Sequence, residues 1–172
     1  DNAQYPLHLV PSVRHSFRDG RHANLPWMQE SPDALTTMVW DSWAEIHPKT
    51  AARLGVKEGD YLEIASDKGA IKVKAYVFPG IHPDAVAIPI GQGHEELGRY
   101  AKGVGVNPFK ILSPVFDKDT GELAMYATRV KVSKTGQHEK MVKDEGASNG
   151  KQAGTKIVVT LPSDKVNLAR EV

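Results

Sequence analysis

Apolar and polar residues alternate along this chain in short stretches, and each stretch ends at a Gly, Pro or Asp turn. Tyr5 to Val10 alternates loosely up to Pro11 and predicts a first strand. Residues 14–36 show no period and predict a long irregular stretch, a kind of segment that is usually functional or packed down by its own side chains. The β-branched and aromatic run from Thr37 to Trp43 predicts a second strand leading into Glu45-Ile46. A short helix follows: Pro48 suits the first helical position and Gly55 suits the stop after Leu54. His47 is a weak N-cap, so the helix start rests mainly on Pro48.

Val56 to Asp60 predicts a tight turn, with Gly59 at positive φ and the Asp60 carboxylate holding nearby backbone amides. Leu62 and Ile64 share one face of a strand from Tyr61 to Ser66, and Asp67-Lys68-Gly69 predicts a hairpin turn. Ile71, Val73, Ala75 and Val77 alternate without a break through the next strand. After a turn at Pro79 to Asp84, the nearly continuous apolar run from Ala85 to Ile90 predicts a strand buried on both faces. Gly91-Gln92-Gly93-His94 ends it. Residues 95–127 read as loop, punctuated by Gly98, Gly103, Gly105, Pro108 and Pro114. Thr128 to Val132 predicts another strand, residues 134–154 a polar, mobile segment, and Thr155 to Leu161 a final strand or ordered tail. Together these elements predict one domain over residues 1–172, mainly β with short helices, closed into a barrel. No repeat with a period of roughly 20–50 residues is present.

Composition narrows the function classes. The chain has 172 residues, 40% hydrophobic and 25% charged, which suffices for one domain with a sizeable core. A net charge of +1, with no interleaving of basic and aromatic residues, gives no electrostatic footprint for nucleic acid. No apolar run approaches the roughly 20 residues needed to cross a bilayer, so no membrane span is expected. The first residues carry no charged stretch followed by an apolar run, so no leader is expected in them. Cysteine is absent, which excludes disulfides, thiolate zinc sites, a cysteine nucleophile and cysteine-ligated iron–sulfur clusters from this segment.

Candidate chemistry concentrates in two places. In Gly91-Gln92-Gly93-His94, two glycines let backbone approach a ligand and can form an anion-binding nest. Gln92 supplies a donor and an acceptor, and His94 a donor, a set suited to a phosphate or a polar heterocycle. An ordinary tight turn explains the same residues. Arg14, His15, Arg18, Arg21 and His22 gather positive charge in the loop after the first strand, either as pyrophosphate-binding forks or as a solvated loop. His8, His15 and His22 are spaced by sevens, but strand and irregular loop give them no shared face, so no metal site is expected. Trp27, Trp40 and Trp43 are expected in core or interface. No nucleophile elbow and no paired carboxylates appear, so no catalytic residue is expected. The residues alone lead to a β-barrel with a polar ligand turn.

The run from Glu45 to Asp60, continued through Tyr61 to Ser66 and Lys68 to Val77, resembles the C-terminal dinucleotide-binding domain of the molybdopterin oxidoreductases, the dimethyl sulfoxide reductase and formate dehydrogenase superfamily. Gly80-Ile81-His82-Pro83-Asp84 and Val106-Asn107-Pro108 make the resemblance more specific, and it covers residues 5–133. It implies a double-psi β-barrel that covers one side of a bis-pterin guanine dinucleotide cofactor. It assigns cofactor contact to His15 and Ser16, to Gln92, Gly93 and His94, and to Asn107. A further contact segment would fall near Gly146 to Gln152, where this chain departs from the family pattern.

A narrower likeness lies in Leu25 to Glu30, Val39 to Trp43, and Ile90 through Tyr100. These resemble the large iron–sulfur subunit of alternative complex III, a quinol-oxidising respiratory assembly in which the fold is kept without the metal–pterin cofactor. The resemblances imply that the remainder of a parent oxidoreductase chain and other respiratory subunits are the partners. They also imply a location at the periplasmic face of a bacterial inner membrane and no activity for this segment alone. Three functions stay open: a cofactor-binding domain, a cofactor-free structural domain, and a double-psi barrel that binds proteins through the aromatic loop at 23–43.

Overall fold

The computed structural model describes residues 3–143 of the chain. Six strands close on themselves as a barrel: β1 (Leu7–Ser12), β2 (Trp43–Ile46), β3 (Asp60–Ser66), β4 (Gly69–Val77), β5 (Ala85–Pro89) and β6 (Arg129–His138). Around the ring they run β1-β5-β2-β4-β3-β6. The β1–β5 and β2–β4 pairs are parallel and the remaining neighbours antiparallel. Closure leaves no extended sheet edge to be protected. Two short helices, α1 (Pro26–Glu30) and α2 (Pro48–Leu54), and a 3₁₀ turn at Pro108–Ile111 complete the fold.

The barrel interior is the core that the alternating pattern predicts. Leu9, Ile46, Leu62, Ile64, Val86 and Ile88 have no exposure, and each contributes about 1.5–3 kcal/mol of burial. Strand β5 is buried at every position, as its unbroken apolar run requires. Helix α2 sits where Pro48 and Gly55 place it. Gly55 takes φ 64°, and His47 proves an effective cap, its Nδ1 accepting from the Lys49 N–H at 3.1 Å.

Three boundaries differ from the sequence reading. Strand β1 continues through Pro11, because β1 pairs with β6 only at Leu7 and His8 and Pro11 needs no N–H toward that side. Strand β2 starts only at Trp43. The Asp33 carboxylate instead accepts from the N–H groups of Leu35 and Thr36, and Thr37 and Trp40 turn to positive φ, so local side-chain bonds defeat strand propensity. The irregular stretch 14–36 contains α1 and builds, together with Ala101, a second small core of Phe17 and Ala23, with Met28 packed against it.

Strand β6 also runs past Val132 to His138. The apolar alternation ends at Val132, but pairing to β3 continues through a register shift between Asp60 and Leu62. Residues 134–138, expected in a polar segment, are thus strand. The rest of that expectation from residue 144 onward, the Thr155 to Leu161 element and the Gly146 to Gln152 segment lie outside the described residues.

Asp60 fastens this extension. Its carboxylate accepts from Lys57 N–H at 2.8 Å and pairs with Lys134 at 2.7 Å and His138 at 3.1 Å. The Lys134 bond, followed by the Lys57 amide, lowers its pKa from 3.8 to about 2. A depressed folded-state pKa stabilises above the unfolded value and loses that contribution as pH falls. Denaturation midpoints should therefore fall between pH 4 and pH 2 with a slope that Asp60→Asn reduces; identical slopes in the two proteins would refute the assignment.

Candidate functional site

Glycines shape the 91–107 loop. Gly91, Gly93, Gly98, Gly103 and Gly105 all take positive φ, so the chain leaves β5 and doubles back beneath itself. Gly93 N–H donates to Val104 O at 2.8 Å and Gly103 N–H to His94 O at 2.9 Å, which holds the two arms together. At Gly93 the fit is closest. A Cβ there would stand 2.2 Å from Asn107 N and 2.3 Å from the Val106 carbonyl carbon.

One continuous open groove runs along these arms. Its widest part is a cleft of about 410 Å³ between Gly93, His94, Gly103 and the lysines Lys102 and Lys110. Two further clefts of about 210 and 220 Å³ share Gly105 with it, and Gly105 and Val106 with each other. One reaches Asn107 and Lys72, the other Ser42, Tyr61 and Lys74. Four lysines therefore border the groove. Lys102 pairs with Glu96 at 3.1 Å and Lys110 pairs with Glu95, both as exposed contacts of little energetic weight.

Lys74 is different, since its side chain is buried. It reaches Asp41 at 2.8 Å and Glu139 at 3.1 Å, and Tyr61 Oη donates to the same Glu139 at 2.6 Å. Burial pulls the Lys74 pKa down, but the bonds to Asp41 and Glu139 outweigh it, and the ammonium stays charged above its ordinary value.

The sequence-predicted residues divide between groove and interior. Gly93, His94 and Asn107 line the groove. His94 is oriented by Nε2, which donates to Gly91 O at 3.3 Å. Asn107, which lines one of the smaller clefts, uses its Oδ1 to accept from Phe109 N–H at 3.0 Å and so caps the 3₁₀ turn. Gln92 points inward: Gln92 Nε2 donates to Gln29 Oε1 at 2.7 Å and Gln29 Nε2 donates back to Gln92 Oε1 at 3.1 Å. His15 is exposed and Ser16 buried, and neither borders a groove cleft.

The arginine loop is not one positive surface. Arg14 is buried between the Phe17 and Trp43 rings and donates to Met38 O at 2.9 Å. Burial lowers its pKa against the opposing pull of Asp33 and Asp41. Arg21 pairs with Asp19 in the exposed part of the loop. Among the tryptophans Trp43 is core, Trp40 half-buried and Trp27 exposed. Among the described residues no three His, Cys, Asp or Glu side chains gather as a metal site.

Sequence reasoning missed Lys72, Lys74, Lys102 and Lys110. For Lys102 and Lys110 a signal existed: the Gly103-x-Gly105 spacing repeats that of Gly91 and Gly93 and marks a second arm. For Lys74 none did, since it reads as an ordinary outward position of β4.

The match to known families coincides with this groove. Residues 19–128 match the model of the Molydopterin dinucleotide binding domain. The chain belongs to this family. It is 34% identical over 142 residues to the arsenate respiratory reductase molybdopterin-containing subunit ArrA of Shewanella sp. (strain ANA-3), covering 78% of this chain and 17% of that protein. It is 25% identical over 129 residues to the menaquinone reductase, molybdopterin-binding-like subunit of Nitratidesulfovibrio vulgaris, covering 75% of this chain and 19% of that protein. Acetylene hydratase from Pelobacter acetylenicus shares the fold, with a TM-score of 0.59 at 22% identity over 76% of this chain and 18% of the other. This molybdopterin dinucleotide-binding domain thus spans less than a fifth of the curated relatives named here.

The groove residues fit the group that the family binds. Asn107 offers an amide, the lysines, paired with Glu95 and Glu96 at the cleft, offer charge for phosphates, and Gly93, Gly103 and Gly105 line the cleft without side chains. Gly103 lines the widest cleft, and a Cβ added there would meet nothing of this chain within 4 Å.

Proposed function

We propose that this domain forms one wall of a molybdopterin guanine dinucleotide site in a larger oxidoreductase subunit. The observation that carries the reading is the groove in which Gly93, His94, Gly103, Asn107, Lys102 and Lys110 converge, inside the region matched by the family model. When bound, the pterin dinucleotide supplies the redox centre. This domain's residues bind and orient it: Asn107 meets the donor–acceptor edge of the heterocycle, His94 offers its Nδ1 as an acceptor, and the lysines face phosphate. His15 and Ser16 belong to this reading only as residues near the groove-forming turns, and Gln92 as a support beneath them.

The barrel is of the double-psi type in this reading, supported by two parallel pairings between strands distant in sequence. The domain alone is inactive in this reading, because the redox chemistry belongs to a cofactor that it holds from one side only. The parent is a respiratory enzyme, a reading supported by the name of the arsenate respiratory reductase relative, and in this reading it works in the bacterial cell envelope. Any iron–sulfur cluster lies elsewhere in that parent, since this segment has no cysteine.

A second reading is a cofactor-free structural domain. Two observations favour it: Gln92 is committed to Gln29, and one relative is named only molybdopterin-binding-like. Substitution in the parent protein separates the two. Asn107→Ala with Lys110→Met should lower bound pterin per polypeptide by about ten-fold, as expected for losing a buried-edge hydrogen bond and a phosphate contact. Unchanged pterin content in a folded variant would refute the groove assignment.

A further inference from the structure

Beyond the groove, residues 113–127 form an excursion that the barrel does not use. Phe116 and Leu123 face each other across an antiparallel bridge, and Ala124 N–H donates to Val115 O at 2.8 Å. The turn between them is built with care. Asp117 N–H donates to Glu122 O at 2.8 Å, and the Asp117 carboxylate accepts from the N–H groups of Asp119 and Thr120 at 3.0 and 2.9 Å. Gly121 closes it at φ 73°. This is a specified hairpin rather than a loose connection.

Its side chains contradict that order. Val115, Phe116, Leu123 and Tyr126 are 47%, 60%, 37% and 62% exposed, and none belongs to a hydrophobic cluster of the described residues. A two-stranded hairpin without a packed face is marginal in water, and clustered exposed apolar side chains mark contact surfaces. At the foot of the hairpin lies an open cleft of about 330 Å³, walled by Tyr5, Asp67, Ser113, Val115, Ala127 and Arg129. It shares no residue with the groove.

We propose that the 115–126 hairpin and this cleft are the seat on which the remainder of the parent polypeptide docks. The proposal rests on the reading of the chain as one domain of a larger subunit. The occupant follows from length: the relatives extend far beyond the matched portion, which is 17% and 19% of the two named above. Part of the remaining polypeptide of such a subunit therefore packs against this domain from outside it. Charge describes the docking segment further. The turn carries Asp117, Asp119 and Glu122 against one Lys118, so the segment is apolar with a basic edge.

Hydroxyl-radical footprinting of the intact parent, with the 172-residue chain as reference, tests this without any substitution. Phe116, Leu123 and Tyr126 should be labelled roughly five-fold more slowly in the parent, as half-exposed side chains become interior. Equal labelling in both samples would overturn the proposal. Slow labelling already in the 172-residue chain would overturn it too, by showing that a second copy or residues 144–172 cover the hairpin. Pterin content of the same parent sample is read separately. Equal labelling with pterin present defeats only the docking surface, and protection with pterin absent defeats only the cofactor reading.

Discussion

Gly93→Ala is expected to destabilise the domain by about 3–5 kcal/mol, because it combines left-handed strain with a clash against rigid atoms. Gly93 sits at φ 80°, where an L side chain is disfavoured before any contact is considered. Its new Cβ would also stand 2.2 Å from Asn107 N and 2.3 Å from the Val106 carbonyl carbon. Both neighbours are backbone, so neither can rotate away. The two arms of the groove would separate, and Asn107 would lose its place. Thermal unfolding should fall by about 10 °C for a domain of this size. Gly103→Ala is the control: at φ 73° it bears the backbone cost alone, about 1–2 kcal/mol, with nothing within 4 Å. Equal, small effects at both positions would show that the arms do not meet at Gly93.

Gln29→Leu should cost about 2–4 kcal/mol, for it strands several buried polar groups at once. Gln29 is fully buried in α1, and its Nε2 donates to Ala23 O at 2.7 Å and lies 3.3 Å from Tyr100 O as well as bonding Gln92. Removing it leaves the Gln92 amide, 2% exposed, with no partner for either end. The Gln29→Leu, Gln92→Leu double variant removes both halves of the pair. It should therefore lose less than the sum of the single losses, with a coupling of about 1–2 kcal/mol. Additive losses in denaturant titrations would mean that the amides do not act as a pair. The same cycle also tests whether Gln92 supports the turn from below or meets cofactor. A support role predicts loss of stability before loss of bound pterin.

The barrel was legible wherever one face of a strand is buried. Leu62 and Ile64, then Ile71, Val73 and Ala75, mark their strands because alternation is what a closed sheet demands of its sequence. Helix α2 and the Gly59-Asp60 turn were legible from punctuation alone. The second half of β6 was not, since its partners are Asp60 and backbone rather than the core, and polar residues carry no period. Strand β2 was misplaced because Asp33, a turn-forming side chain ten residues upstream of Trp43, overrides the β-branched run.

The site was legible in part for a similar reason. Glycines at positive φ leave a mark in sequence, so Gly93 and His94 could be named from the turn, whereas Asn107 came only from the family resemblance. Which way a polar side chain turns leaves none. Gln92 could equally have faced the groove, and only the distant Gln29, 63 positions away, decides that it does not. Lys74 gathers Asp41 and Glu139 from segments far apart in the chain, a juxtaposition that exists only after folding.

What the intact parent protein carries decides most directly whether the groove holds a pterin. Purified natively, it should release a molybdopterin guanine dinucleotide on denaturation, detected as the fluorescent oxidised pterin and identified by mass. The groove reading predicts pterin in at least equimolar amount to polypeptide, with the content falling in the Asn107→Ala, Lys110→Met variant. A folded, natively purified parent that releases no pterin would contradict it.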